Sequence, residues 1–361
     1  MANAPARWFA RAAARAWTCP PAPRDVPAFH RALPGYAPTP LAEMPPLAAE
    51  LGAGRVFVKD ESSRLGLPAF KILGASWGIY RALRERHGLP DVPLRRLREA
   101  GSVRLVTATD GNHGRAVAAM ARLLDLPADV YVPYGAHPAA MAAIKAEGAG
   151  LTEVLGPYDE AVRLAADAAA ADPCALLVQD TAWPGYERVP QWIVEGYSTL
   201  FTEIDEQLAA AGAAPAGLVA VPVGVGSLAQ AAVTHYRSGS ARPAVLSVEP
   251  DAAPCVLASL HRDELVTVET GSTAMAGLNC ATPSTLAWPV LRRGLDAAVA
   301  VSDADTARAA EDLAALGVSA GPCGAASLAG VRAALAHRPG LAAETIVLLN
   351  TEGRAANPFL G

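Results

Sequence analysis

The stretch Ala69-Phe70-Lys71-Ile72-Leu73-Gly74 sets an amine between an aromatic and an aliphatic residue. A segment follows at once, Ser76 to Leu83, whose apolar residues recur at helical spacing without proline. A lysine in apolar surroundings at a helix start loses stability in its charged form, so its pKa is expected to fall. The neutral amine is a nucleophile and forms a Schiff base with an aldehyde. Alone, Phe-Lys-Ile more often marks a lysine that snorkels past its neighbours to water. The other chemistry-bearing stretches of the chain change that balance.

Gly224-Val225-Gly226-Ser227 lies between a predicted strand and a predicted helix. Glycines there let backbone N–H groups approach a phosphate, and the helix start adds favourable partial charge. Ser227 can cap the helix and offer a hydroxyl. The same residues, as Gly224-x-Gly226-x-x-Ala229, also fit a dinucleotide fingerprint, with Glu249 roughly where a ribose-binding acid belongs, ~20 residues on. That pattern supports a rival, an NAD(P)-dependent oxidoreductase, although the fingerprint usually opens a domain and here opens a second alternation.

A second glycine loop, Thr109-Asp110-Gly111-Asn112-His113-Gly114, also joins strand to helix. Exposed N–H groups at its helix start can hold a substrate carboxylate, with Thr109, Asp110, Gly111 and His113 as candidate substrate contacts. Asn112 offers an amide donor to a phenolate-like oxygen. Asp110 can take a proton or serve as a helix N-cap, and His113 can be a base or a structural residue of the turn. Asp180 follows an apolar strand and precedes Trp183 and Tyr186, where a carboxylate can bind a substrate amine or simply close a turn. Near the C-terminus, Asn350 and Thr351 follow a buried-looking strand, at the kind of strand end where open α/β sheets bind ligands.

The elements that must position these residues alternate. Strand Val56–Val58 precedes the Lys71 stretch, and Arg84 to Glu99 reads as a charged, exposed segment. Strand 103–107, a helix from 115 to 124, strand 129–133, helix 138–147, strand 151–154, helix 158–171 and strand 175–179 follow. The second run is helix 193–211, strand 218–222, helix 228–237, strand 244–248, helices 254–260 and 306–316, and strand 345–349. Such alternation predicts an α/β fold of two lobes, each a mostly parallel sheet flanked by helices, with a cleft between them. Residues 1–80 and 190–361 are expected to form a large discontinuous domain, and residues 81–189 a small mobile one.

At 361 residues, 52% hydrophobic and 18% charged, the chain can bury a large core. A formal net charge of −5 argues against nucleic acid as a partner. Five scattered cysteines without a Cys-x-x-Cys pair indicate neither a disulfide framework nor a zinc site, which suits a reducing cytoplasm. Arg7, Arg11 and Arg15 recur at helical spacing in a stretch free of acids, which reads as an N-terminal extension or helix. The uncharged run 208–236 is broken by glycine and proline, so a buried strand–loop–helix is expected there and no membrane span.

Together these stretches resemble the tryptophan-synthase-β-like, or fold type II, pyridoxal 5′-phosphate (PLP) enzymes, and within them the diaminopropionate ammonia-lyases. The resemblance runs from about Ala28 to Gly353. Its most specific stretches are Thr107 to Arg115 and Gln179 to Glu187. It implies that Lys71 holds PLP as a Schiff base and that Asn112 contacts the ring 3′-oxygen. It further implies that Gly224, Val225, Gly226 and Ser227 cradle the phosphate and that Asn350 or Thr351 meets the pyridine nitrogen. By the same resemblance Lys71 takes the α-proton of an L-substrate, Asp110 that of the D-isomer, and Asp180 handles the substrate.

The implied reaction is α,β-elimination of ammonia from 2,3-diaminopropionate or a close β-substituted amino acid, in a homodimer. A serine/threonine dehydratase or a β-replacement synthase would use the same scaffold. Several positions depart from the family pattern: Ser63, Leu65, Pro68, Gly321-Pro322-Cys323-Gly324 and Arg354. By the resemblance, the change at 322 removes an acid expected near the cofactor ring. A catalytically degenerate PLP-binding protein is therefore a further alternative.

Overall fold

The computed structural model describes residues 7–99, 103–109 and 111–357. Among the described residues, eleven strands form two sheets. In chain order they are β1 (Trp8–Ala10), β2 (Leu41–Glu43), β3 (Arg55–Asp60), β4 (Arg104–Ala108), β5 (Ala128–Pro133) and β6 (Gly150–Val154). Then come β7 (Ala175–Leu177), β8 (Leu218–Pro222), β9 (Ala244–Pro250), β10 (Ala297–Val301) and β11 (Thr345–Asn350). The larger sheet runs β1-β10-β9-β8-β11-β3-β2, and the smaller runs β6-β5-β4-β7. Every neighbour pair is parallel except the edge strands β1 and β2, which pair antiparallel. Strands β8, β9, β10 and β11 are buried at every residue, as parallel strands covered on both faces must be.

The predicted alternation is present, with three instructive differences. The Arg7–Arg15 stretch is not a helix of any length. Trp8–Ala10 adds an edge strand to β10, a short 3-10 turn (Ala12–Ala16) follows, and Arg7, Arg11 and Arg15 each reach a carboxylate, on Asp251, Asp263 and Asp296. The aromatic pair at positions 8 and 9 favours a strand over the helix that the arginine spacing suggests. Second, the segment 193–211 is two helices, Arg188–Gly196 and Ser198–Ala210, which meet at Tyr197. Third, the helix Pro322–His337 has no sequence signature. It lies under β8 to β11 with apolar residues all round, so no amphipathic stripe marks it.

Two contacts fix the start of the Lys71 helix (Ile72–His87). Gly74 and Gly196 let it touch the helix Arg188–Gly196 almost backbone to backbone. A Cβ on Gly196 would stand 2.5 Å from the Leu73 carbonyl oxygen, and one on Gly74 would stand 2.5 Å from the Tyr197 ring. His30, fully buried, donates from Nε2 to that same Leu73 carbonyl at 2.9 Å and accepts at Nδ1 from Thr199 Oγ1 at 2.7 Å. Before the helix, the loop after β3 is anchored by a buried cluster. Glu203 takes Lys59 at 2.6 Å and Arg64 at 2.7 Å, and Glu61 takes Arg64 at 2.6 Å.

Burial depresses the His30 pKa to about 3, against 6.5 in the unfolded chain. The unfolded state thus binds the extra proton between those values, so stability is complete above pH 6.5 and falls as pH drops below it. Lowering the pH from 7 to 5 should cost about 2 kcal/mol through this one group. The check is urea unfolding of wild type and His30→Gln at both pH values. An identical pH slope in the two proteins would remove His30 from the explanation.

Candidate active site

The carboxyl ends of β3, β4, β7, β8 and β11 converge on one cavity of about 890 Å³ between the sheets. This is where an open parallel sheet leaves unsatisfied loop backbone and helix N-termini together. The cavity brings together Lys71, Thr109, Gly111, Asn112, His113, Asp180, Gly224, Val225, Gly226, Ser227 and Thr351. Asp110 lies outside the described residues. Asn350 does not line the cavity: it is fully buried, and its amide donates to Asp60 Oδ1 at 2.7 Å. Of the two candidates at that strand end, Thr351 lines the cavity, and Glu352 beside it does too.

Lys71 Nζ lies 2.6 Å from Asp180 Oδ2. The expectation of a lowered lysine pKa is overturned. Burial does disfavour the ammonium, but the Asp180 carboxylate, helped by Tyr197 and Cys280, outweighs it and holds Lys71 above its ordinary value. Asp180 answers in the opposite sense. Burial would raise its pKa, yet His113 and Lys71 hold it at about 2.

His113 is itself buried, and burial lowers its pKa. Its Nε2 lies 2.8 Å from the Val178 carbonyl, which assigns the proton to Nε2 and leaves Nδ1 without a hydrogen-bond partner, 3.8 Å from Asp180. The turn carrying Asp180 is clamped by Tyr186, whose hydroxyl accepts from the Gln179 N–H and donates to the Leu177 carbonyl, both at 2.9 Å. Trp183 stacks on Tyr186 at 4.5 Å.

At the other end of the cavity, Gly226 caps the helix Ser227–Ser238 with φ of +100°, a conformation that glycine adopts without strain. Gly224 sits against Cys280 and Gly277, with no room for a side chain. The first-turn N–H groups of the helix have no intrahelical partner and face the cavity wall. The Ser227 hydroxyl makes no cap; it donates to the Asp180 carbonyl at 2.9 Å, tying the loop to the Asp180 turn. Glu249 is buried away from the cavity and accepts the N–H groups of Val256 and Leu257, each at 2.7 Å. With that carboxylate committed to a helix start, the dinucleotide reading loses its ribose-binding acid.

Sequence reasoning did not single out Tyr158, Cys280, Cys323 or Glu352, all of which line the cavity. Glu352 alone had a signal, its place in the polar run after β11. Of the departures, Pro322 occupies the first turn of the helix Pro322–His337, where proline is tolerated, and Arg354 is exposed. Neither lines the cavity.

A buried amine, an anion-accepting helix start and a ring-sized space between them fit an aldehyde cofactor that carries a phosphate. The pyridoxal-phosphate dependent enzyme family model matches residues 32–352. This chain belongs to that family. The diaminopropionate ammonia-lyase of Salmonella typhimurium (strain LT2) is 38% identical over 293 residues, 77% of this chain and 72% of that one. The L-threonine dehydratase of Corynebacterium glutamicum is 27% identical over 302 residues, 82% of this chain and 64% of that one. Among solved structures, diaminopropionate ammonia-lyase from Escherichia coli with an aminoacrylate-PLP azomethine reaction intermediate superposes with a TM-score of 0.87 at 30% identity, covering 96% of this chain and 94% of that one. The family's cofactor is PLP, and the fold is that of the fold type II enzymes.

The ion pair makes a prediction. In Asp180→Asn the largest opposition to burial is gone, so the Lys71 amine should titrate lower than in the wild type when both are PLP-free. The pH dependence of Lys71 labelling by an acylating reagent, read by peptide mapping, measures this. A titration unmoved between wild type and Asp180→Asn would refute the electrostatic account.

Proposed function

We propose that this chain is a PLP-dependent ammonia-lyase that converts 2,3-diaminopropionate and water into pyruvate and two molecules of ammonia. One observation carries the reading: the Lys71 amine, the Asn112 side chain and the Gly224–Ser227 loop open into one cavity, in a chain 38% identical to a diaminopropionate ammonia-lyase. Lys71, Asn112, the Gly224–Ser227 N–H groups and Thr351 are the residues that would hold PLP. When bound, PLP supplies the electron-withdrawing ring that acidifies the substrate Cα.

The remaining steps belong to the chain's own groups. Once the substrate's β-ammonium takes its place beside Asp180, Lys71 loses the partner that holds its pKa up, and its neutral Nζ takes the α-proton of the L-substrate. The C–H electron pair becomes the Cα–Cβ double bond, the Cβ–N bond breaks, and the β-nitrogen leaves as ammonia with its electron pair. Water then releases pyruvate and the second ammonia. Asp180, held ionised, attracts the substrate's β-ammonium and orients the leaving group. The N–H groups at the start of the helix Asn112–Leu124 bind the carboxylate, and His113 flanks Asp180 at 3.8 Å. Asp110 takes the α-proton of the D-isomer. We also place the protein in the cytoplasm, a reading that suits cysteines joined by no disulfide among the described residues, and as a homodimer by its family likeness. Residues 81–189 close over the rest as the smaller lobe.

Incubating the PLP-loaded protein with D- and L-2,3-diaminopropionate should give two ammonia per pyruvate, and Lys71→Ala should lower the L-isomer rate by about 10²- to 10⁴-fold. Failure to release pyruvate from any β-substituted amino acid would sink the reading. The Corynebacterium relative keeps serine or threonine dehydration as a second reading, and one ammonia per keto acid would favour it. Asp110→Asn should abolish turnover of the D-isomer and spare the L-isomer, as a chiral assay of residual substrate would record. Equal losses for both isomers would reject the division of labour.

A further inference from the structure

Two carboxyls line the cavity among the described residues, Asp180 and Glu352, and the function above uses only the first. Glu352 is 2% exposed. Its Oε2 lies 2.5 Å from Asn112 Nδ2, and its Oε1 accepts the Cys323 N–H at 3.2 Å. The two partners come from different sheets. Asn112 opens the helix after β4 of the smaller sheet, and Glu352 follows β11 of the larger.

The backbone around Glu352 leaves its side chain little freedom. Its carbonyl accepts the Gly321 N–H at 2.9 Å, Gly353 N–H donates to the Pro68 carbonyl at 2.9 Å, and Ala69 bridges to Glu352 just ahead of Lys71. The helix Pro322–His337 begins with a proline, which has no N–H, so Cys323 offers the first-turn donor that Glu352 takes.

We infer that Glu352 is a positioning residue that ties the Asn112 amide across the cleft and sets the direction in which its free N–H points. The inference rests on the proposed placement of Asn112 against the cofactor's ring oxygen. An amide has a donor end and an acceptor end, and only the donor end satisfies a carboxylate. One N–H bound to Glu352 therefore fixes the flip of the amide and leaves the second N–H to face a ligand in the cavity. Burial pushes the Glu352 carboxyl upward, while the hydrogen bonds from Cys323 and Asn112 pull against it. Without Glu352 the amide turns freely, and the ring oxygen loses an oriented donor.

The test is a double-mutant cycle on PLP dissociation in wild type, Asn112→Ala, Glu352→Gln and the double variant, with melting of the PLP-free forms as a control on folding. A pH titration of the visible absorption band of each loaded protein accompanies it. Each single change should weaken PLP binding about tenfold, the scale of one hydrogen bond to a charged group. The double variant should be no weaker than the worse single one, and the band's pH midpoint should shift in the same direction in both singles. Losses that multiply in the double variant, or a Glu352→Gln protein with the wild-type dissociation constant and band, would overturn the inference. If Glu352→Gln melts early, Glu352→Ala is read the same way. Pyruvate formation is scored separately: PLP uptake with an intact cycle but no pyruvate sinks the lyase, not the tie.

Discussion

A charge withdrawn from water has to meet an opposite charge, and this constraint organises the chain around its cleft. The fully buried Lys59 and Arg64 converge on Glu203 and Glu61, which pins the loop leaving β3 to the helix Ser198–Ala210. That loop ends at Lys71, whose ammonium is paired with Asp180 from the other sheet. Arg237 and Asp296 form a further buried pair at the far side of the large sheet. Such pairs add little net stability over well-packed apolar groups, but each is expensive to break once one partner is buried. They therefore specify an arrangement rather than strengthen it. The arrangement they specify is a lysine held at the bottom of a cleft.

Around that lysine, close backbone packing does the rest. The glycine pair Gly74 and Gly196 brings two helices nearer than any side chain would allow, and His30 holds the first turn through the Leu73 carbonyl. These contacts place the start of the Lys71 helix relative to the strand ends, so that an amine, an amide and a glycine loop face one space. The two cavity carboxyls then take different characters from their settings. Asp180, beside Lys71 and His113, is held strongly ionised, whereas burial pushes Glu352 the other way. One suits the binding of a cationic substrate group, and the other suits the holding of a neutral amide.

The family departures fall mostly where they leave this machinery intact. Pro322 starts a helix that accepts proline at its first turn, and Arg354 points to solvent. Both the cofactor chemistry and the elimination from 2,3-diaminopropionate thus remain compatible with the cavity as built. The dinucleotide alternative fails for a physical reason, since Glu249 is spent on two backbone N–H groups.

Much of the fold was legible in the residues because parallel strands buried on both faces leave short apolar runs, and amphipathic helices leave a stripe. Strand 218–222 and helix 158–171 have the bounds their patterns suggest. Lys71, the two glycine loops and Asp180 were also legible, since their types and places at strand ends carry the chemistry. The helix Pro322–His337 was not, because an element apolar on every side has no period to read. Nor was the charge state of Lys71, which depends on a carboxylate 109 residues away. The choice of Glu352 over Asn350, and the diversion of the Ser227 hydroxyl to the Asp180 carbonyl, were settled by which atoms the folded backbone brings within hydrogen-bond reach. Local pattern determined what groups this chain possesses. Only the packing of two sheets decided which of them face each other, because a pKa and a hydrogen bond are properties of a pair in space.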